Sequence, residues 1–135
     1  YLLMGAIVGP SLGHDMPVFV EDYPASQAAL ARLRTERDGT EVAERFELYL
    51  NGMELANGFH ELADASEQRT RFERQLHARS TDHRPTVALD ENLLAALASG
   101  LPDCSGVALG FDRLVMLASG ARTIGEAIAF PLDRA

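Results

Sequence analysis

The chain has 135 residues, 47% hydrophobic and 24% charged, enough for one domain with a modest core. Its 12 basic residues, all arginine, face 20 acidic ones, for a formal charge of −8; this segment therefore lacks the phosphate-driven attraction that dominates nucleic-acid binding, and it leaves room for a cationic ligand. A single cysteine, Cys104, excludes an internal disulfide and a multi-cysteine metal site, and suits a reducing compartment such as the cytoplasm.

The sequence opens on an apolar stretch, Tyr1 to Val8, too short to span a bilayer and without the basic flank or cleavage site of a signal peptide. No membrane segment is expected, and the opening predicts that these residues belong to a longer protein. Pro17 to Val20 (PVFV) predicts a short buried strand, closed by the turn-forming Asp22 to Pro24. Ala25 to Leu33 (ASQAALARL) predicts a short helix or helical turn, and Thr35 to Thr40, around Gly39, an exposed loop. Polar and apolar residues alternate over Glu44 to Leu50 and again over Met53 to Asn57, on either side of Asn51-Gly52. That pattern predicts a β-hairpin, because Asn and Gly tolerate the positive φ of a type I′ turn.

Asp64 to Arg79 predicts an amphipathic helix capped by Asp64, with Glu67 three residues on. A second helix is expected over Asp90 to Ser99, closed by Gly100, then a strand over Gly106 to Leu109 and a helix from Phe111 to Ser119 stopped by Gly120. Thr123 and Glu126 predict a capping box for a short terminal helix. Antiparallel hairpin strands with helices between them place the chain in the α+β class, an antiparallel sheet flanked by helices.

Three constellations could carry chemistry. A two-residue turn at Asn51-Gly52 sets Tyr49 against Glu54 and Glu47 against Ala56, so Glu47 and Glu54 share a face as diagonal neighbours. Two carboxylates so placed repel unless a cation or proton lies between them, and magnesium favours a few carboxylates completed by phosphate oxygens and water. The same spacing also fits a solvated strand face. In Glu54 to Leu62 (ELANGFHEL), polar groups interrupt a strand that should be buried, which suits a ligand carrying ammonium groups; Glu61 beyond the strand end could equally be solvent-exposed. Strict alternation puts Asn57 opposite Glu54, and a bulge near Gly58 could re-aim it. In Gly106 to Arg113 (GVALGFDR) a strand runs through Gly110 into a helix whose first turn carries Arg113, able to offer a guanidinium fork to phosphate; close packing plus a surface arginine is the alternative. His14, His60, His77 and His83 show no metal-ligand spacing, and no nucleophile triad is present.

Together these segments resemble a known family. Arg45 to Phe72 (RFELYLNGMELANGFHELADASEQRTRF) resembles class II lysyl-tRNA synthetases, and Gly106 to Leu117 (GVALGFDRLVML) looks like motif 3 of that class, its arginine falling on Arg113. Pro17 to Leu33 also fits. ELANGFHEL, PDCSGVALG and IAFPLDRA are similar to the short paralogue branch that modifies elongation factor P and has no anticodon-binding domain. The resemblance implies the carboxy-terminal part of a class II catalytic domain that activates a lysine-like amino acid, (R)-β-lysine in this branch, with ATP and Mg2+, and passes it to a lysine of elongation factor P. By the same resemblance Glu47 and Glu54 hold the metal, Glu54, Leu55 and Gly110 border ATP, Arg113 grips phosphate as the catalytic arginine, and Asn57 and Glu61 contact the amino acid. Ala108 stands where lysyl-tRNA synthetases usually carry Gly, and its methyl reshapes the amino-acid pocket. Motifs 1 and 2 of the class are expected upstream of Tyr1, so these residues alone are expected to be inactive and poorly soluble, and the full-length protein a homodimer. tRNA binding is not expected of this segment. A fragment of a true lysyl-tRNA synthetase and a non-catalytic regulatory paralogue are the competing readings.

Overall fold

A computed structural model describes residues 2–134, without the side chain of Asp133; Tyr1, the first residue of the apolar opening, lies outside the described residues. Five strands form one sheet: β1 (Val18–Pro24), β2 (Leu33–Thr35), β3 (Glu41–Leu50), β4 (Met53–His60) and β5 (Ser105–Leu109). Their order is β1, β3, β4, β5, and β2 pairs antiparallel with β3, Leu33 opposite Ala43. Helices α1 (Ala65–Thr81), α2 (Glu91–Ala98), α3 (Phe111–Ser119) and the single-turn α4 (Ile124–Ala127) complete the α+β architecture. Among the described residues no helix is long and apolar enough to cross a membrane. The chain divides into two compact units. One comprises the chain up to Glu21, Phe46–Gly58 and the chain from Val107 onward; the other comprises Asp22–Arg45 and Phe59–Gly106.

In the first unit the hairpin turn forms where the sequence places it, with φ of 50° at Asn51 and 72° at Gly52. Both strands are longer than the alternating pattern suggests. The loop before β1 clasps the turn: Asn51 N donates to Gly13 O and Gly52 N to Leu12 O, each at 2.8 Å. Phe19 of β1 meets Phe46 of β3 edge to face, with ring centroids 5.6 Å apart. Helix α3 stops at Gly120, whose φ of 71° is the left-handed cap expected there. The capping box at Thr123 needs correction. Thr123 makes no side-chain cap bond, and with only one turn of helix to cap, the Glu126 carboxylate reaches past it to accept from Arg122 N at 2.8 Å.

In the second unit two expectations change. The strand beginning at Val18 is not closed by Asp22 to Pro24 but runs through them. Asp22 absorbs the turn tendency at φ 56°, and Tyr23, 4% exposed, is held by the Arg45 guanidinium 4.4 Å above its ring. Of the short helix or helical turn expected over Ala25 to Leu33, a 3-10 turn forms at Ala25–Gln27 and the helix goes no further. The chain then extends, with Ala31 bridging Glu61 and Leu33 opening β2. Its backbone groups find better partners outside: Arg32 N donates to His60 O and Leu62 N to Leu30 O (2.9 Å each), and Arg71 of α1 donates to Ala31 O at 2.7 Å. Ala28 and Ala31, 3% and 0% exposed, fit that crowded strip because they are small. These tertiary bonds outweigh the helix propensity of the alanines.

Helix α1 begins as expected, Asp64 accepting from Ser66 N (2.8 Å) and Glu67 N (2.9 Å), and Asp90 caps α2 by accepting from Leu93 N at 3.0 Å. Glu67 does not reach back to complete a capping box but pairs with Arg71 one turn on. Replacing Asp64 with alanine is expected to destabilise the protein by about 1 kcal/mol, read as a shift of the denaturant midpoint without a change in slope. An unshifted midpoint would mean that water replaces the cap.

Candidate active site

On β3 the buried side is the polar one. Arg45, Glu47 and Tyr49 are 8%, 6% and 6% exposed, whereas the alternating Phe46, Leu48 and Leu50 are only half-buried. A buried carboxylate is costly without compensation, and Glu47 has part of it, since the Tyr49 hydroxyl donates to its Oε2 at 2.6 Å. The two-residue turn sets Tyr49 against Glu54, so Glu47 and Glu54 occupy one face of the hairpin, as expected. Among the described residues no group of three or more His, Cys, Asp or Glu gathers as a metal site. Two hard carboxylates still suit magnesium, which takes the rest of its shell from phosphate oxygens and water.

The backbone bonding of β4 departs from a regular ladder between Glu54 and Asn57. A two-residue turn makes Leu50 and Met53 a hydrogen-bonded pair, so an unbroken ladder would point the polar groups of Leu55 at β3. Instead the Leu55 carbonyl accepts from Gly110 N, on the opposite side, at 2.8 Å. The neighbours Leu55 and Ala56 are both buried, at 4% and 6%. One extra residue in β4 near Leu55 accounts for this bond, and side chains beyond it then change face.

Arg113, in the first turn of α3, comes to Glu54: its Nη1 donates to the Glu54 carbonyl at 2.7 Å. A Cβ at Gly110 would lie 3.3 Å from Cδ of Arg113, so the missing side chain leaves the arginine stem a few tenths of an ångström more room. The Gly110 N–H is engaged by the Leu55 carbonyl. Ala108 lies exposed on β5.

In the second unit Glu61 lines a largely apolar cleft of about 570 Å³ with Leu62, Gln68, Leu97 and Cys104. Its carboxylate sits on Gly106, where a Cβ would come within 2.5 Å of Oε1. Low-dielectric walls strengthen the attraction of such a carboxylate for an ammonium group. Gln68, 1% exposed, leaves its Nε2 without a hydrogen-bond partner. A larger cleft, about 780 Å³, between α1 and residues 25–33 contains none of the expected site residues. His60 joins Glu44, Arg32 and Asp103. Its Nδ1 lies 2.8 Å from Glu44 and its Nε2 2.6 Å from Asp103, which also accepts from Arg32 at 2.7 Å. The bond to Asp103 holds the imidazole above its ordinary pKa, with a smaller contribution from Glu44, and the same bond holds Asp103 below the usual carboxylate value.

The family model for class II tRNA synthetases of the D, K and N type matches residues 11–134. The chain belongs to the class II tRNA synthetases. An elongation factor P–(R)-β-lysine ligase of Klebsiella pneumoniae subsp. pneumoniae is 58% identical over 134 residues, 99% of this chain and 41% of that protein. The ligase of the same name from Salmonella gallinarum is 56% identical over the same extent. The chain thus spans about two fifths of the length of the curated relatives it matches.

For a class II synthetase segment, sequence reasoning left out Tyr49 and Gly106. Tyr49 stands two residues from Glu47 on one strand, a spacing that places both on one face and could have marked it as the carboxylate's partner. Gly106 had no such signal, since its role depends on where Glu61 comes to rest.

Proposed function

We propose that the full-length protein containing this chain activates a lysine-like amino acid, (R)-β-lysine first, with ATP and Mg2+ and transfers it to a lysine of elongation factor P. The observation that supports this reading is Arg113 of α3 donating to the Glu54 carbonyl on the same hairpin whose strand β3 buries the Glu47 carboxylate against the Tyr49 hydroxyl. The names of the relatives, elongation factor P–(R)-β-lysine ligases at 58% and 56% identity, support the acceptor and the amino acid. The charge of −8 supports a cationic substrate over tRNA for this segment. A cytoplasmic homodimer in which the rest of the protein supplies motifs 1 and 2 goes with the proposal, on the family resemblance and the single cysteine.

Glu47 and Glu54 hold magnesium, which when bound neutralises phosphate charge. Tyr49 keeps Glu47 oriented by its hydroxyl bond. Arg113 offers its remaining N–H groups to phosphate, where negative charge grows as the amino-acid carboxylate attacks and pyrophosphate departs. Leu55 and Gly110 border the nucleotide, Asn57 and Ala108 shape the amino-acid end, and Glu61 counters an ammonium group.

The test is amino-acid-dependent ATP–pyrophosphate exchange by the full-length protein as magnesium is titrated. Glu47→Gln and Glu54→Gln are each expected to raise the magnesium needed for half-maximal rate at least about tenfold. An unchanged magnesium requirement in both variants would refute the metal assignment.

A further inference from the structure

We propose that His60 and Asp103 form a positioning clamp that sets the Glu61 carboxylate for its amino-acid partner by fixing the loop between α2 and β5 against the end of β4. This deepens the reading above and rests on the role of Glu61 in it. The clamp sits one residue from Glu61 at the end of β4 and one residue from its backbone partner Cys104 in the loop before β5. His60 precedes Glu61 and Asp103 precedes Cys104, and between these pairs Glu61 N donates to Cys104 O at 3.0 Å. Two residues further on, Gly106 carries the Glu61 carboxylate, so close that no side chain fits between them. A loop that drifted by an ångström would move both the backbone partner of Glu61 and the floor under its carboxylate, and displacements of that size cost activity far beyond their packing energy.

Three charged groups face His60: Glu44 from β3, Asp103 from the loop and Arg32 from the segment before β2. With both ring nitrogens protonated, His60 donates to Glu44 and to Asp103 at once. When Nε2 loses its proton it becomes an acceptor for Arg32 Nη1, 3.0 Å away, and Asp103 loses one of its two donors. The folded-state pKa of His60 lies above its ordinary value. The clamp is therefore complete at the acid side and weakens as pH rises through that raised pKa. His60 and Asp103 act through Glu61 and touch neither the reacting carboxylate nor the nucleotide.

The experiment uses the full-length protein in ATP–pyrophosphate exchange with (R)-β-lysine and with α-lysine, at pH values from about 6 to about 9. His60→Gln and Asp103→Asn are expected to raise the KM for the amino acid about threefold to fivefold, the upper range for a solvent-exposed charged pair. They are expected to leave the KM for ATP unchanged and to remove the loss of amino-acid affinity that wild type shows on the alkaline side. Asp103→Glu restores part of the affinity. Asp103 is exposed, so its amide variant keeps the fold, and melting temperature verifies this. Glu61→Gln serves as reference. If it raises the amino-acid KM while His60→Gln and Asp103→Asn match wild type in KM and pH profile, the clamp is refuted and the role of Glu61 stands. If Glu61→Gln leaves that KM unchanged, both fall.

Discussion

Arg113→Ala in the full-length protein is expected to lower amino-acid-dependent pyrophosphate exchange about 10²- to 10³-fold, the range found when one preorganised donor to developing negative charge is removed. The geometry is specific to arginine. The stem runs along Gly110, one N–H is committed to the Glu54 carbonyl at 2.7 Å, and the rest of the planar fork remains for a ligand. Arg113→Lys keeps the charge but cannot hold Glu54 and phosphate together, and should recover only a small part of the rate. Because Arg113 is exposed, water can satisfy the Glu54 carbonyl once the arginine is gone, so melting temperature should hardly move. Exchange within about threefold of wild type would remove Arg113 from the chemistry.

Gly13→Ala is expected to be the most damaging small substitution, costing about 2–5 kcal/mol from backbone strain plus overpacking. Gly13 has φ of 73°, and a Cβ there would lie 2.6 Å from Tyr49 O and 2.8 Å from the Leu50 Cα. These are backbone atoms of the hairpin and cannot swing aside. The displacement would also pull Gly13 O from Asn51 N at the turn. Gly39→Ala is the control, since its φ of 88° carries a similar conformational penalty but nothing lies within 4 Å of its Cβ; about 1 kcal/mol is expected. Denaturant melts that lose equal stability for the two variants would show that the clasp of the loop on the hairpin carries no energy.

Sequence reasoning reached the parts of this fold that rest on local chemistry. The Asn51-Gly52 turn, the Asp64 cap and the Gly120 stop each depend on one or two residues whose backbone preferences are strong. Of the helix or helical turn it placed over Ala25 to Leu33 only the first turn forms, because the competing bonds come from His60, Leu62 and Arg71, far along the chain. The burial of Arg45, Glu47 and Tyr49 runs against the rule that apolar residues go inside, and it does so where the proposed chemistry lies. The need for a bulge was legible from the conflict between Glu54 and Asn57. Its position was not, since any residue between them could have supplied the extra step.

That extra step gives β4 a parity. A strand one residue shorter would close a smoother ladder with β3 and would carry Asn57 to the wrong side of the sheet. Sheet regularity and the proposed substrate contact thus pull the residue count of this strand in opposite directions, and a single-codon deletion here would trade one for the other while every site side chain stayed in the protein.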